Sequence, residues 1–173
     1  MRIIVNDASC LIDLRKADLL TAALTLPYRF VVPLPLARTE LLEFTAAEWG
    51  LLQEQGLEIL DLEPELVGRA AVIIMRNVRL SANDAFSLAL AEAHAGSILL
   101  TGDQSLRRQA EENGVEVHGA LWVTDQLEAL GLVPAADLLG GLCCWRDDPV
   151  VFLPRAELVF RIERLTAYIG RLR

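Results

Sequence analysis

Short runs of aliphatic and β-branched residues alternate with longer segments of helical periodicity, and this alternation restricts the fold more than any other feature of the sequence. The predicted strands are Arg2–Asn6, Phe30–Val32, Leu57–Leu60, Ser97–Thr101 and Val115–Val117. Strands that alternate with helices of roughly ten or more residues indicate a parallel sheet with helices on both faces. The sequence therefore predicts an α/β fold around a mainly parallel sheet.

The helical segments are predicted at Ala8–Leu24, Leu34–Trp49, Pro64–Asn77, Ser81–His94, Gln104–Asn113, Leu121–Leu130 and Ala135–Leu142. The segment that begins at Gln104 should end before Gly114, since glycine is common just past a helix end. No internal repeat or linker divides the chain, and 173 residues are a typical length for one domain.

An arginine-rich tail from Pro154 onward predicts a further helix. One stripe of this helix is apolar, with Leu158, Ile162, Leu165, Ile169 and Leu172 at alternating spacings of four and three residues. The stripe is too short to argue for a coiled coil by itself. The stripe either packs on its own domain or contacts a partner or a second copy of the chain. The arginines of the helix form either a solvated face or a patch that contacts phosphates.

The charge of the chain excludes one way of binding nucleic acid. Its 24 acidic and 16 basic residues give a formal net charge of -8. Proteins that bind nucleic acid mainly by neutralising phosphates carry a basic face. A phosphate-bearing substrate would therefore need local basic groups or bound cations on this protein.

Neither the apolar runs nor the cysteines predict a membrane or disulfide protein. No uncharged apolar run approaches the roughly 18 residues that span a bilayer, and the first ten residues lack the features of a signal peptide. We expect a soluble, cytoplasmic protein. Cys10, Cys143 and Cys144 match no disulfide framework or metal-binding spacing, and we expect buried, unreactive thiols.

Four acidic residues fall near the carboxyl ends of predicted strands, where parallel sheets bind their ligands. Asp7 directly follows the first strand, and only Gly102 separates Asp103 from the end of the fourth. Glu40 lies about two turns into the helix after the second strand. Asp84 begins the helix that leads into the fourth strand. If these strands are neighbours, the carboxylates converge at one rim of the sheet.

Carboxylates brought together in this way repel one another, and some of their pKa values should rise. Divalent cations relieve the repulsion, and oxygen ligands without nearby His or Cys favour Mg²⁺ or Mn²⁺ over zinc. Such ions activate water and stabilise the leaving oxygen of a phosphodiester. They would also supply the positive charge that the chain lacks.

Each of these acids also has a purely structural interpretation. Asp7 and Asp103 each suit the N-cap of the helix that follows. Ser81 and Asp84 have the spacing of a capping box. Glu40 is equally explained as a solvated acid in a negatively charged stretch that also contains Glu43.

Five segments in this order resemble the PIN-domain ribonucleases, which include the VapC-type toxins of bacterial toxin–antitoxin pairs. The segments are Ile3–Leu14, Val32–Leu41, Ser81–Ala91, Ile98–Arg107 and Gly114–Gly119. Each motif is one acid in a loose apolar frame, so the ordered set is more specific than any member. The chain runs some 40 residues beyond Leu130, longer than compact toxins of the family.

The resemblance implies a three-layer α/β/α sandwich with an extra C-terminal helix. It implies a catalytic domain over residues 1–133 and a helical extension over residues 134–173 that packs on this domain or on a partner. The implied activity is Mg²⁺- or Mn²⁺-dependent cleavage of RNA, as expected of the toxin of a type II pair. RNA, an antitoxin protein and a second copy of the chain are the implied partners.

The same resemblance assigns the site residues. Catalysis and metal binding are assigned to Asp7, Glu40, Asp84 and Asp103. Weaker candidates are Thr101, Ser9 and Glu43, with the choice between Glu40 and Glu43 left open, while Asp13 is interpreted as solvated.

Two other functions compete with the ribonuclease as an explanation of these residues. A non-catalytic interaction module would use the acids as helix caps and the C-terminal stripe to bind a protein partner. A nucleotide-binding protein of the Rossmann type is disfavoured, because the chain contains neither GxGxxG nor GxxxxGK[ST].

Overall fold

Five short strands form one parallel sheet in the computed structural model, which describes residues 1–171. The strands are β1 (Ile3–Asn6), β2 (Arg29–Pro33), β3 (Leu57–Leu60), β4 (Ile98–Leu100) and β5 (Glu116–His118). Their order across the sheet is β3-β2-β1-β4-β5, so β1 lies at the centre between β2 and β4. All four neighbouring pairs are parallel, as the alternation of strands and helices predicts.

Ten helices surround the sheet in the described part of the chain. They are α1 (Ala8–Lys16), α2 (Leu20–Ala23), α3 (Leu34–Thr39), α4 (Ala46–Glu54), α5 (Pro64–Arg76), α6 (Ala82–Glu92), α7 (Gln104–Glu112), α8 (Ala120–Ala129), α9 (Ala135–Asp147) and α10 (Arg155–Arg171). None of these helices is long and apolar enough to cross a membrane.

The sheet separates two apolar cores, because successive side chains of a strand point to opposite faces. Ile4 of β1 packs in the core formed with α1, α2, α8, α9 and α10. Ile3 and Val5 pack in the other core, against α5, α6 and α7. The fold is therefore the predicted three-layer α/β/α sandwich with an additional C-terminal helix.

Two predicted helices are each broken into two shorter ones. The segment Ala8–Leu24 turns between α1 and α2 at Asp18, whose φ of 56° is incompatible with a continuing right-handed helix. The segment Leu34–Trp49 is interrupted after Thr39, and α4 starts anew from a capping box of Thr45 and Glu48. Apolar periodicity continues across both breaks, which is why it did not indicate them.

The cysteines differ from one another in exposure, so the expectation of three buried thiols is wrong. Cys10 is buried in α1. The predicted helix Ala135–Leu142 continues to Asp147, which places Cys143 and Cys144 within α9. Cys143 is half-buried, whereas Cys144 is exposed and its thiol contacts the carbonyl oxygen of Lys16 at 3.3 Å.

The helix α10 packs on its own chain. Leu158, Ile162 and Leu165 of the predicted stripe are buried in the core shared with α1, α8 and α9, while Leu172 lies outside the described residues. On its flank, Arg161 and Arg164 form ion pairs with Asp125 and Glu128 of α8. These two arginines are therefore engaged in fixing α10 to α8.

We predict that the substitution Leu165→Ala lowers the free energy of unfolding by about 2–4 kcal/mol, because Leu165 is only 2% exposed and its removal leaves a cavity. Ile169→Ala, one turn further along the same stripe but half-exposed, should cost less than about 1 kcal/mol. Urea denaturation measures both. Equal losses for the two variants would show that α10 does not pack as described.

Candidate active site

The candidate site lies at the carboxyl ends of β1 and β4. The chain passes from β1 to β2 on one side of β1, and later returns to place β4 on the other side. Ligands of open α/β sheets bind at such a point, where the strand order reverses. The backbone N–H of Asp7 donates to the carbonyl oxygen of Leu100 at 2.9 Å, so the two strands remain paired up to this rim.

Asp7 is the most deeply placed of the four predicted acids, with 5% of its surface exposed. It occupies the N-cap position of α1, but its side chain makes no capping hydrogen bond. Instead its Oδ2 accepts hydrogen bonds from Ser9 Oγ at 2.8 Å and from Thr101 Oγ1 at 2.9 Å. The interpretation of this side chain as a helix cap is therefore wrong.

The two hydroxyl groups also bind the loop that follows β4. The N–H of Gly102 donates to Ser9 Oγ at 3.1 Å, and the N–H of Asp103 donates to Thr101 Oγ1 at 3.0 Å. A hydroxyl that accepts from an N–H directs its own proton elsewhere, here to Asp7. Ser9 and Thr101 thus hold the Asp7 carboxylate and the Asp103 backbone in one hydrogen-bonded unit.

The burial of Asp7 has an electrostatic consequence. The pKa of Asp7 is raised to about 6, mainly because burial removes the carboxylate from water, and the negative charge of Asp84 contributes to the increase. The hydrogen bonds from Ser9 and Thr101 oppose this increase, because they stabilise the charged form. The charge of Asp84 therefore acts on Asp7, and burial and this charge both disfavour the ionised carboxylate.

Asp84 and Asp103 both cap helices. Asp84 Oδ2 accepts from the N–H of Ser81 at 2.7 Å, and Ser81 Oγ accepts from the N–H of Asp84 at 3.1 Å, which confirms the predicted capping box of α6. Asp103 Oδ1 accepts from the N–H of Leu106 at 2.7 Å and caps α7. In each carboxylate the second oxygen receives no hydrogen bond from the described residues 1–171. Capping therefore leaves one oxygen of each available for a ligand.

Glu40 is joined to α6 by a contact that the sequence did not indicate. The prediction that it lies within a long helix is wrong, because Glu40 is the C-cap residue of the short α3. Asn83 of α6 donates through its amide Nδ2 to Glu40 Oε1 at 2.7 Å and to Thr39 Oγ1 at 2.8 Å. Asn83 was missed as a site residue, although it precedes Asp84 in the segment that suggested the site.

Glu43 and Asp13 differ in their surroundings. Glu43 is exposed, and one of its oxygens lies 3.8 Å from Arg15. Unlike Glu40, it accepts no hydrogen bond from the residues of α6. Asp13 is half-buried, and burial raises its pKa to about 6, with Lys16 lowering it and Asp148 raising it. The interpretation of Asp13 as a solvated acid is therefore wrong.

The donor chemistry of the rim suits a hard cation, but the acids do not form a closed set of ligands. Among residues 1–171, no three His, Cys, Asp or Glu side chains lie close enough to hold one ion together. Every predicted donor is an oxygen, the kind of ligand that Mg²⁺ and Mn²⁺ prefer. Asn6 adds a further acceptor next to Asp7, because its buried Oδ1 has no hydrogen-bond partner in the described part of the chain.

A family model described as a PIN domain matches residues 3–139. This match covers most of the chain, and it includes all seven predicted site residues. The chain belongs to the PIN-domain family, which has a nuclease-type fold. A search of curated proteins found no match to the chain.

We predict that Asp7→Asn stabilises the metal-free protein above pH 6. The pKa of Asp7 is about 6 in the folded state against 3.8 for the free group, so the folded protein binds this proton more tightly than the unfolded chain. The stability contributed by Asp7 is therefore present at low pH and is lost as pH rises through about 6.

The advantage of the Asp7→Asn variant over the unmodified protein should be on the order of 2–3 kcal/mol near pH 7, about 0.5 kcal/mol near pH 4, and close to zero below about pH 3. Denaturant unfolding at a series of pH values measures it. The exposed Asp18 provides the matched control, since Asp18→Asn should change stability by less than about 0.5 kcal/mol throughout. An Asp7→Asn variant that is less stable than the unmodified protein at neutral pH would contradict the burial argument.

Proposed function

We propose that this protein is a metal-dependent endoribonuclease whose catalytic site is the rim formed by Asp7, Glu40, Asp84 and Asp103. The observation that supports this most directly is the Asp7 carboxylate, which is buried at the switch point and lies near the like charge of Asp84. A protein that only needed to fold would gain stability from a neutral residue at this position. A carboxyl group whose pKa is strongly raised by burial and by a like charge is typical of functional sites.

A divalent ion at the rim would supply positive charge to bind a phosphodiester and to activate a water molecule. Asp7 would be its principal ligand, since Ser9 and Thr101 orient the carboxylate and favour its charged form. Asp84 and Asp103 would contribute the oxygens that their helix caps leave unbound.

The remaining residues of the rim would position these ligands. Asn83 orients Glu40 toward the start of α6. The hydroxyls of Ser9 and Thr101 fix the loop of Asp103 relative to Asp7. We propose Mg²⁺ or Mn²⁺ as the ion because all of these donors are oxygens. Exposed Glu43, which approaches Arg15 instead of α6, has no part in this arrangement.

The resemblance to VapC-type toxins supports a narrower proposal for the biological role. In this proposal the chain is the toxin of a type II toxin–antitoxin pair, cleaves RNA in the cytoplasm and is held inactive by an antitoxin protein. The acidity of the chain is compatible with this activity, because bound cations would offset the net charge of -8 at the point where RNA binds.

A non-catalytic interaction module remains the competing function, and one observation favours it. No three potential ligands are gathered in the described residues, and two of the four acids have complete roles as helix caps. Metal binding discriminates between the two functions, since the module has no need of it.

We predict that millimolar Mn²⁺ raises the melting temperature of the protein and that EDTA reverses this change and abolishes RNA cleavage. A ligand that binds only the folded state stabilises it, by about 2.7 kcal/mol at a concentration one hundred times the dissociation constant. Differential scanning fluorimetry and a labelled RNA substrate measure the two effects.

Asp7→Asn should lose both the thermal shift and the cleavage, whereas Asp18→Asn on the exposed turn after α1 should keep both. Cleavage that persists in EDTA would refute metal dependence. A folded protein that neither binds Mn²⁺ nor cleaves RNA would favour the interaction module.

We further predict that Asp103→Ser separates catalysis from helix capping. Serine caps a helix about as well as aspartate does, so the hydrogen bond to the N–H of Leu106 can be retained and stability should change by less than about 0.5 kcal/mol. The substitution removes a charged oxygen ligand, so Mn²⁺ affinity and cleavage should fall sharply. Calorimetry and cleavage rates provide the measurements.

Asp103→Ala is the matched comparison, because it removes the ligand and the cap together. It should also lose activity, and it should cost about 1 kcal/mol of stability. Full cleavage by a folded Asp103→Ser variant would exclude Asp103 from the catalytic site.

A further inference from the structure

A large groove of about 910 Å³ begins next to the candidate active site and extends toward the C-terminal extension. Gly102 and Gln104, the neighbours of Asp103 in the chain, line this groove together with Thr101. Its walls come from the start of α7, from β5 and α8, and from residues 152–161 before and within α10. The groove therefore adjoins the loop that carries Asp103, and part of it lies beyond the match to the family model at residue 139.

Aromatic rings form one wall of the groove. The ring of His118 stacks on Trp122, with a centroid distance of 4.3 Å and an interplanar angle of 6°. Tyr28 supports Trp122 from the side, with centroids 5.8 Å apart. Phe152 also lines the groove and is 86% exposed, although burial would be favourable for such a side chain. A fixed aromatic stack and an exposed phenyl ring suit a flat, unsaturated ligand.

The positive charges of the groove are unequally available. Arg161 is bound through two hydrogen bonds to Asp125, so its charge is already neutralised. Arg107 donates to the backbone oxygens of Val117 and Thr101 and lies 3.7 Å from Glu111. Arg108 is exposed, and it forms no ion pair with any residue of the described chain. It is the guanidinium best placed to accept a phosphate.

We propose that this groove binds the single-stranded RNA segment that flanks the scissile bond, with one base on the His118–Trp122 stack, Phe152 covering that base and Arg108 contacting a neighbouring phosphate. The proposal rests on the ribonuclease function proposed above. Stacking on aromatic rings is the usual way in which proteins hold unpaired bases, and Arg supplies the backbone contact. Paired bases cannot enter, because they are already stacked within a duplex.

The balance of charges in the groove also favours RNA held by stacking. Glu111, Asp125 and Glu157 line it together with the three arginines, so the groove has no net basic field that would capture a duplex by its phosphates. Affinity must then come mainly from the rings. An acidic protein can bind RNA in this way, because cations would bind the phosphodiester at the rim and aromatic rings would bind bases in the groove.

The test is fluorescence anisotropy of the full chain in EDTA with a short fluorescein-labelled oligoadenylate, so that binding is measured without cleavage. Phe152→Ala should weaken binding by about fivefold or more, the lower range for one base–aromatic stack. Phe160→Ala is the control, because Phe160 is 61% exposed on α10 but does not line the groove.

Arg108→Gln tests the phosphate contact, and it should weaken binding and reduce the salt dependence of the affinity. Arg171→Gln is its control, since exposed Arg171 lies about 15 Å beyond Arg161 along α10 at about 1.5 Å per residue. The corresponding adenine–uracil RNA duplex should bind weakly, and its affinity should be the same for the unmodified protein and Phe152→Ala.

Equal affinity of the unmodified protein and a folded Phe152→Ala variant for oligoadenylate would overturn the proposal. Absence of oligoadenylate binding would overturn it as well. Cleavage by the unmodified protein with unchanged binding by Phe152→Ala would reject the groove and retain the nuclease. Binding that depends on Phe152, without cleavage in Mn²⁺, would retain the groove and reject the nuclease.

Discussion

The hydrogen bonds that Ser9 and Thr101 donate to Asp7 connect the parts of the candidate site. Both hydroxyls also accept an N–H of the loop after β4, so the carboxyl ends of β1 and β4 and the start of α7 form one unit. These bonds favour the charged form of an acid that burial disfavours. The central carboxylate is therefore held in a fixed orientation at an electrostatic cost, a combination that suits binding of a cation.

The two halves of the proposed site use different physical interactions. At the rim, oxygen donors sit on the ends of buried strands and on helix caps, where the backbone determines their positions. In the proposed groove, aromatic rings would stack on bases and the guanidinium of Arg108 would contact a phosphate. The ion pairs of Arg161 and Arg164 hold α10 against α8 beside this groove. In this proposal the acidic protein binds a polyanion because the electrostatic repulsion is offset where the substrate is held.

Local rules selected the candidate residues of the rim from the sequence. Asp7 and Asp103 were selected as candidates because they follow buried strands, and the Ser81–Asp84 cap was predicted, and is confirmed, because its spacing is that of a capping box. Glu40 was placed in the wrong surroundings, because apolar periodicity continues across the break after Thr39. The hydrogen bond from Asn83 joins residues that are distant in sequence, and no local pattern signals it. The burial of Asp13 was missed for the same reason, since it depends on packing against the C-terminal part of the chain.

The sequence by itself determined the fold class, the parallel sheet and the approximate positions of its strands, because hydrophobic periodicity and helix signals are local properties. Only the tertiary structure decided which strands are neighbours, and hence that Asp7 meets Thr101 at the switch point. It also decided that α10 packs on its own chain, and that His118, Trp122 and Phe152 line one groove. These features depend on contacts between residues far apart in the chain, and such contacts follow from the packing of whole layers.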